Sequence, residues 1–288
     1  MVAFTTAQAR AHGYGRGALR GRSVRRELRG AYVPGWATDT LATRVEAARQ
    51  VLPIDAQADG VTALQLLGVE VGAEVPLRFV TAHPHQVRRP GVRVRRSSTV
   101  PTSSAEVAFV SAAHELDLVD LVAAGDRLAR LGLTTPDDLV RVTAAARGRA
   151  TRHARRAAGL VRDGVDSVQE TRLRLALVLA GLPEPEVNPT VHVEGRRVGR
   201  VDLLLRRWRI VIEYEGDQHR VERAQWNRDV WRQEQLVSDH VLLRVTAERG
   251  RTPRAVVLGV HDALTARGYD GPAPVFTPEW RALFATAL

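Results

Sequence analysis

Between residues 165 and 264 the hydrophobic positions change period in a fixed order, and the order predicts an α/β layer. Leucines at 173, 175, 177, 179 and 182 populate a helix that Gly181 stops. Ser167 stands at its N-cap, and Glu170 three residues later completes a capping-box pattern. Residues 187–193 and 198–205 are strand-like around a turn at Glu194-Gly195, and residues 209–215 form a third strand that Gly216 ends. Residues 222–237 read as a helix, 241–245 as a buried strand and 253–267 as a closing helix. The resulting order is α-β-β-β-α-β-α.

Upstream the pattern is shorter and more broken. Thr5 or Thr6 can cap a helix running through Ala11, with Gly13 placed to end it, and an Arg-rich helical stretch lies between Gly15 and Gly21. Residues 24–28 and 31–33 then read as strands about a turn at Arg29-Gly30. Helix, turn, helix and hairpin in so short a span is the pattern of a winged helix. Between residues 40 and 164 the chain is mixed. Residues 40–51 and 117–131 are amphipathic helices, and 77–81 and 91–95 alternate as strands. Pro136 opens a further helix, and arginines at 147, 149, 152, 155, 156 and 162 form either a solvated helix face or a DNA-facing strip. The expected fold is therefore multi-domain α/β (α+β). Its divisions are a winged-helix region at 1–58, a mixed middle region at 59–164 and an α/β core at 165–288.

Charge adds a partner. The 42 basic residues are all arginine, a usage typical of GC-rich coding, but their excess over 32 acids leaves a formal net charge of +10. Such a surface attracts polyanions, nucleic acid above all, and the attraction falls with salt. With no cysteine, disulfides, zinc ribbons and thiol catalysis are excluded. The N-terminus carries no leader-like apolar segment, and no apolar run reaches the roughly 18 residues of a membrane span, so a cytoplasmic chain without membrane attachment is expected. No G-x-G-x-x-G, P-loop or G-x-S-x-G motif occurs, so no small-molecule cofactor is expected.

The candidate chemistry lies in the acids set among apolar strand residues. Asp202 sits in Val-Asp-Leu-Leu-Leu, and Glu213 and Glu215 sit in Ile-Val-Ile-Glu-Tyr-Glu. Strand alternation puts Glu213 and Glu215 on one face. A hairpin turning at Arg207-Trp208 pairs residue 206 with 209 and carries Asp202 opposite Glu213. Clustered carboxylates destabilise a fold unless a cation balances them, and an all-oxygen set suits Mg²⁺ or Mn²⁺. Glu170 is either the fourth acid of this group or no more than a helix cap.

These residues, taken in order, resemble a known family. Glu170-Thr-Arg-Leu-Arg-Leu, Asp202, Glu213-Tyr-Glu-Gly-Asp-Gln-His219, Trp226-Asn-Arg-Asp229 and Leu243-Arg-Val-Thr246 are similar to the very-short-patch-repair-like endonuclease domains of the PD-(D/E)xK superfamily. Many actinobacterial proteins of unassigned function carry this domain. The resemblance implies a restriction-endonuclease-like core and Mg²⁺-dependent hydrolysis of DNA. Asp202 and Glu213 would be metal ligands and Glu215 a further one, in a place where the superfamily has lysine and this branch usually aspartate. His219 would be a general base or a leaving-group acid. Arg228 and Arg232 would contact phosphate, or else pair with Asp229 or Glu234. The N-terminal part, through Thr6-Ala-Gln-Ala, Gly13, Arg29-Gly-Ala-Tyr32 and Pro90-Gly-Val-Arg-Val-Arg95, resembles the winged-helix start of AbiEi-type antitoxin regulators. There Arg22, Arg25 and Arg26 would face DNA phosphates. Two other readings stand beside the endonuclease: a catalytically silent DNA-binding regulator, and a structural partner of a toxin.

Overall fold

The computed structural model describes residues 2–15, 17–98, 104–215 and 238–285. It is mixed α/β and divides into two compact units, residues 1–160 and 161–288. No described helix is long and apolar enough to cross a membrane.

Unit 1 opens with strands β1 (Phe4–Thr5), β2 (Val24–Leu28) and β3 (Ala31–Pro34), in the sheet order β1-β3-β2. The β2–β3 hairpin turns at Gly30, whose φ of +90° suits glycine. The two helices expected before it do not form. Thr5 and Gln8 do make the reciprocal cap, Thr5 N–H donating to Gln8 Oε1 at 2.8 Å and Gln8 N–H to Thr5 Oγ1 at 3.3 Å. Beyond this cap, residues 6–13 make hydrogen-bonded turns, closed by Tyr14 N–H on the Ala9 carbonyl at 2.9 Å. The second stretch shrinks to a 3₁₀ turn at Ala18–Arg20. A segment this short, bounded by glycines at 13, 15, 17 and 21, does not recover the cost of helix nucleation. Stacking of Phe4 on Tyr14, ring centres 5.0 Å apart, fixes the turns instead.

Helix α1 (Leu41–Arg49), capped by Thr40, packs in two directions. Ala47 joins Ala3, Ala31 and Val33 of the first sheet. Val45 and Ala48 join Leu77, Phe79, Val92 and Val94 of a second sheet. That second sheet is β4 (Gln57–Ala58), β5 (Leu77–Thr81) and β6 (Val92–Arg96), with β5 and β6 parallel. The expected boundary after residue 58 therefore falls inside a continuous core. Helices α2 (Gly60–Leu66) and α3 (Ala105–Ala112) were not foreseen, and they pack on each other beside β5. The helices α4 (Leu118–Arg130), α5 (Pro136–Ala145) and α6 (Thr151–Leu160) complete the unit. Asp117 caps α4 and Thr135 caps α5.

Unit 2 begins with α7 (Val168–Leu179), whose Leu173, Leu175 and Leu177 are all without exposure, as befits a helix covered on several sides. The strand expected over 198–205 is broken. Strands β8 (Thr190–Val193) and β9 (Arg196–Arg200) form a hairpin of their own around Glu194-Gly195, both at positive φ. Strands β7 (Glu186–Val187), β10 (Leu203–Leu205), β11 (Ile210–Glu215) and β12 (Val241–Thr246) form a separate sheet in the order β12-β11-β10-β7. Both members of the antiparallel pair change sheet at one place. Asn188, in the left-handed region, donates its N–H to the Asp202 carbonyl at 2.8 Å, and Val201 N–H reaches the Pro189 carbonyl at 3.2 Å. β11 and β12 are parallel, and the expected helix at 222–237 lies outside the described residues. Helices α8 (Ala247–Gly250), α9 (Pro253–Ala266) and α10 (Pro278–Leu283) close the unit.

Trp280 of α10 anchors the end of the described chain. It is 4% exposed, packs on Phe276 and Phe284, and donates its indole N–H to the Ala176 carbonyl in α7 at 2.9 Å. Trp280→Ala leaves a cavity and an unpaired carbonyl, and it is expected to lower stability by about 3–5 kcal/mol in denaturant unfolding followed by circular dichroism. A loss under about 1 kcal/mol contradicts the anchoring role.

Candidate functional site

The β10–β11 hairpin sets the site. Its register pairs Leu203 with Ile212, Leu204 with Val211 and Leu205 with Ile210. The turn is a 3₁₀ segment, Arg206–Trp208, followed by Arg209 in the left-handed region, and Arg209 N–H closes it on the Arg206 carbonyl at 3.1 Å. The ladder stops at Leu203 and Ile212, so the expected pairing of Asp202 with Glu213 lies one step beyond it.

Asp202 itself has left the strand, since β10 starts at Leu203. Its carboxylate takes the part that a strand carbonyl would otherwise play: Oδ2 accepts the Tyr214 N–H at 2.8 Å. The side chain is thereby fixed to the edge of β11 rather than left to swing. Asp202 and Glu213 are half-buried, and Glu215, two residues on along the same face, is exposed. Leu204 and Val211 share that face and pack under Val191, Val193 and Val198 of the β8–β9 hairpin. The acids thus continue one sheet face beyond an apolar cluster.

The parallel neighbour adds a residue to which the sequence alone assigned no role. Glu213 pairs with Arg244 of β12, which sets an arginine beside this acid on the same face of the sheet. The pairing partner of β12 was the missing information, because a short apolar strand does not announce its neighbour.

Glu170 takes the cap rather than the cluster. It is 7% exposed; Oε1 accepts Ser167 Oγ–H at 2.9 Å, and Oε2 accepts Asp166 N–H at 3.0 Å together with the Asn188 side-chain amide. The same Asn188 amide donates to the Gly164 carbonyl at 3.0 Å. Asn188, a second residue that sequence reasoning missed, so joins Glu170 to the backbone of Asp202. Its X-Asn-Pro context signals a turn, but nothing in the sequence names the partners. Among the described residues, no three His, Asp or Glu side chains form a ready-made metal-holding group. Asp202 stands just before β10, Glu213 and Glu215 stand two residues apart on β11, and Glu170 is bonded within its own helix start.

His219, Arg228 and Arg232 lie outside the described residues. In unit 1, Arg22 and Arg26 are exposed. Arg25 is engaged internally instead, with Nε on Glu27 at 2.6 Å and an η nitrogen on the Ala37 carbonyl at 2.9 Å. Arg25 and Glu27 stand two apart on one strand face, so each finds the other before any phosphate.

No known protein family matches the chain, and neither curated proteins nor solved structures show a similarity to it.

One titratable group stands directly before β12. His240 is 8% exposed, and burial pushes its pKa below the usual histidine range against the opposing pull of Asp239. The cations Arg209, Arg267 and Arg206 push in the same direction as burial. The folded state therefore favours neutral His240, while the unfolded chain takes up a proton near the ordinary value of about 6.5. Stability from this group is present above that value and is lost as pH falls through the lower folded pKa. Unfolding midpoints are expected to drop on acidification below about pH 6.5, with His240→Gln flattening this part of the profile. An unchanged profile in the variant contradicts the assignment.

Proposed function

We propose that unit 2 is a metal-dependent endonuclease that hydrolyses DNA phosphodiesters, with Asp202 and Glu213 holding Mg²⁺ or Mn²⁺. The observation that carries this reading is the hydrogen bond that holds the Asp202 carboxylate on the amide of Tyr214, the residue after Glu213 in β11. In this reading the two half-buried carboxylates lie close enough to repel each other, and a hard cation turns that repulsion into attraction. Their donor set is all oxygen, which fits such a cation.

A divalent cation held there supplies Lewis acidity toward phosphate and lowers the pKa of a bound water. The protein's part is orientation. The Tyr214 amide aims Asp202, and Glu213 provides the second oxygen donor. Glu215, exposed on the same face, is placed to add a further oxygen or to accept a proton. Arg244, beside Glu213 in the register, brings positive charge toward the phosphate oxygens. His219 as proton carrier and Arg228 and Arg232 as phosphate contacts are proposed from the sequence resemblance. The net charge of +10 draws DNA to the protein, and the exposed Arg22 and Arg26 of unit 1 contribute to that attraction.

A silent, DNA-binding regulator is the second reading. It is favoured by Arg244 standing next to Glu213, because a guanidinium there offsets the acids without a metal. Engagement of Glu170 in its helix cap points the same way.

Plasmid nicking separates the two. Asp202→Asn keeps an oxygen acceptor for the Tyr214 amide, so the variant is expected to melt like the wild type. With Mg²⁺ or Mn²⁺ the wild type is expected to nick plasmid DNA, and the variant to be slower by at least about a hundredfold, the order of losing one preorganised charge contact. Equal nicking by both overturns the assignment. DNA binding with no cleavage under either metal selects the regulator.

A further inference from the structure

The connection between α5 and α6 in unit 1 borders a cleft of about 370 Å³. Its apolar lining comes from Val107 and Val110 of α3 and Val142 and Ala145 of α5. Its rim is cationic, with Arg147 and Arg149 from the connection and Arg95 from β6. His114, Ser111 and Thr151 complete the polar side, and no Asp or Glu is among the lining residues.

Four features make this rim suited to an anion. Arg95 is aimed by two hydrogen bonds, Nε donating to Asp59 Oδ2 at 2.9 Å and an η nitrogen to Ser111 Oγ at 3.4 Å. Asp59 is 7% exposed, so it braces the guanidinium from behind. The C-terminal end of α5 would ordinarily repel an anion through its carbonyls. Arg155 covers that end, with Nε on the Thr143 carbonyl at 2.9 Å and an η nitrogen on those of Ala144 and Ala146 at 3.2 and 2.8 Å. The 10-residue helix α6 starts at the cleft with Thr151, and its first turn contains no acid. Arg147 and Arg149 are both exposed, on either side of Gly148 at φ +121°, so the connection takes a course that glycine permits.

We infer that this cleft binds a nucleoside phosphate, its phosphates on Arg147, Arg149 and Arg95 and its nucleoside against the apolar lining. The volume lies in the range of small-molecule sites and exceeds what one phosphate ion fills. Guanidinium groups are the natural partners of phosphate oxygens. A concave, apolar-lined site also differs from the convex basic stripe that tracks a nucleic-acid backbone. The site shares no residue with the acid pair of unit 2, so each stands or falls separately.

Calorimetric titration of the full-length protein with ADP, adenosine and inorganic phosphate tests this. ADP is expected to bind at least tenfold more tightly than either adenosine or phosphate. Arg147→Ala/Arg149→Ala, checked for folding by circular dichroism, is expected to weaken ADP at least tenfold, about 1.4 kcal/mol. Arg88→Ala/Arg127→Ala removes the same charge from exposed positions elsewhere in unit 1 and is expected to leave ADP affinity unchanged. Absence of ADP binding at millimolar concentration overturns the inference. So does equal weakening in the two double variants, phosphate binding as tightly as ADP, or binding confined to DNA oligonucleotides.

Discussion

The amide of Tyr214 leaves the β11 edge where β10 has already ended, and the Asp202 carboxylate accepts it at 2.8 Å. A strand amide without a partner in half-buried surroundings costs about 1–3 kcal/mol, so something has to take that place in the ladder. A side chain takes it here because the backbone of residues 201–202 has turned toward Asn188 and Pro189. The position of the acid is therefore a consequence of the sheet change, and the sheet change depends on Asn188 in its left-handed conformation.

The electrostatics of the site derive from that constraint. Asp202 is held on the Tyr214 amide, and Arg244 lies beside Glu213 in the parallel register. Glu213 and Arg244 lie on the sheet face whose apolar part is covered by the β8–β9 hairpin. In the proposed reading the acids supply a place for a cation and Arg244 a positive charge suited to phosphate, which is why a phosphodiester is the proposed substrate. Glu170, by contrast, is consumed by its own helix start and by Asn188, so it supports the backbone of the site rather than its face.

Different levels of this organisation were legible to different degrees. The register of β10 on β11 could be read because alternation and turn position leave few choices, and a slip of one residue would put Leu204 and Val211 on the wrong face. The caps at Thr5, Asp117, Thr135 and Ser167 obey local chemistry, but a cap does not make a helix: after Thr5 the chain makes turns where a winged helix was expected. The break at Asp202 was hidden because residues 198–205 read as one strand, and the cause sits a dozen residues earlier at Asn188. Arg244 and the parallel pairing of β5 with β6 were hidden for a related reason, since periodicity identifies a strand and not its neighbour. The shared core around α1 erased a boundary that composition suggested.

Direct titration of Mn²⁺ into the full-length protein, read by calorimetry or by loss of the free-ion magnetic resonance signal, tests the pairing of Asp202 with Glu213 most closely. Binding of Mn²⁺ that falls at least tenfold in Glu213→Gln, and that Mg²⁺ displaces, is the predicted result. Unaltered Mn²⁺ binding in that variant, or no binding by the wild type at millimolar concentration, would contradict a cation site at these two carboxylates.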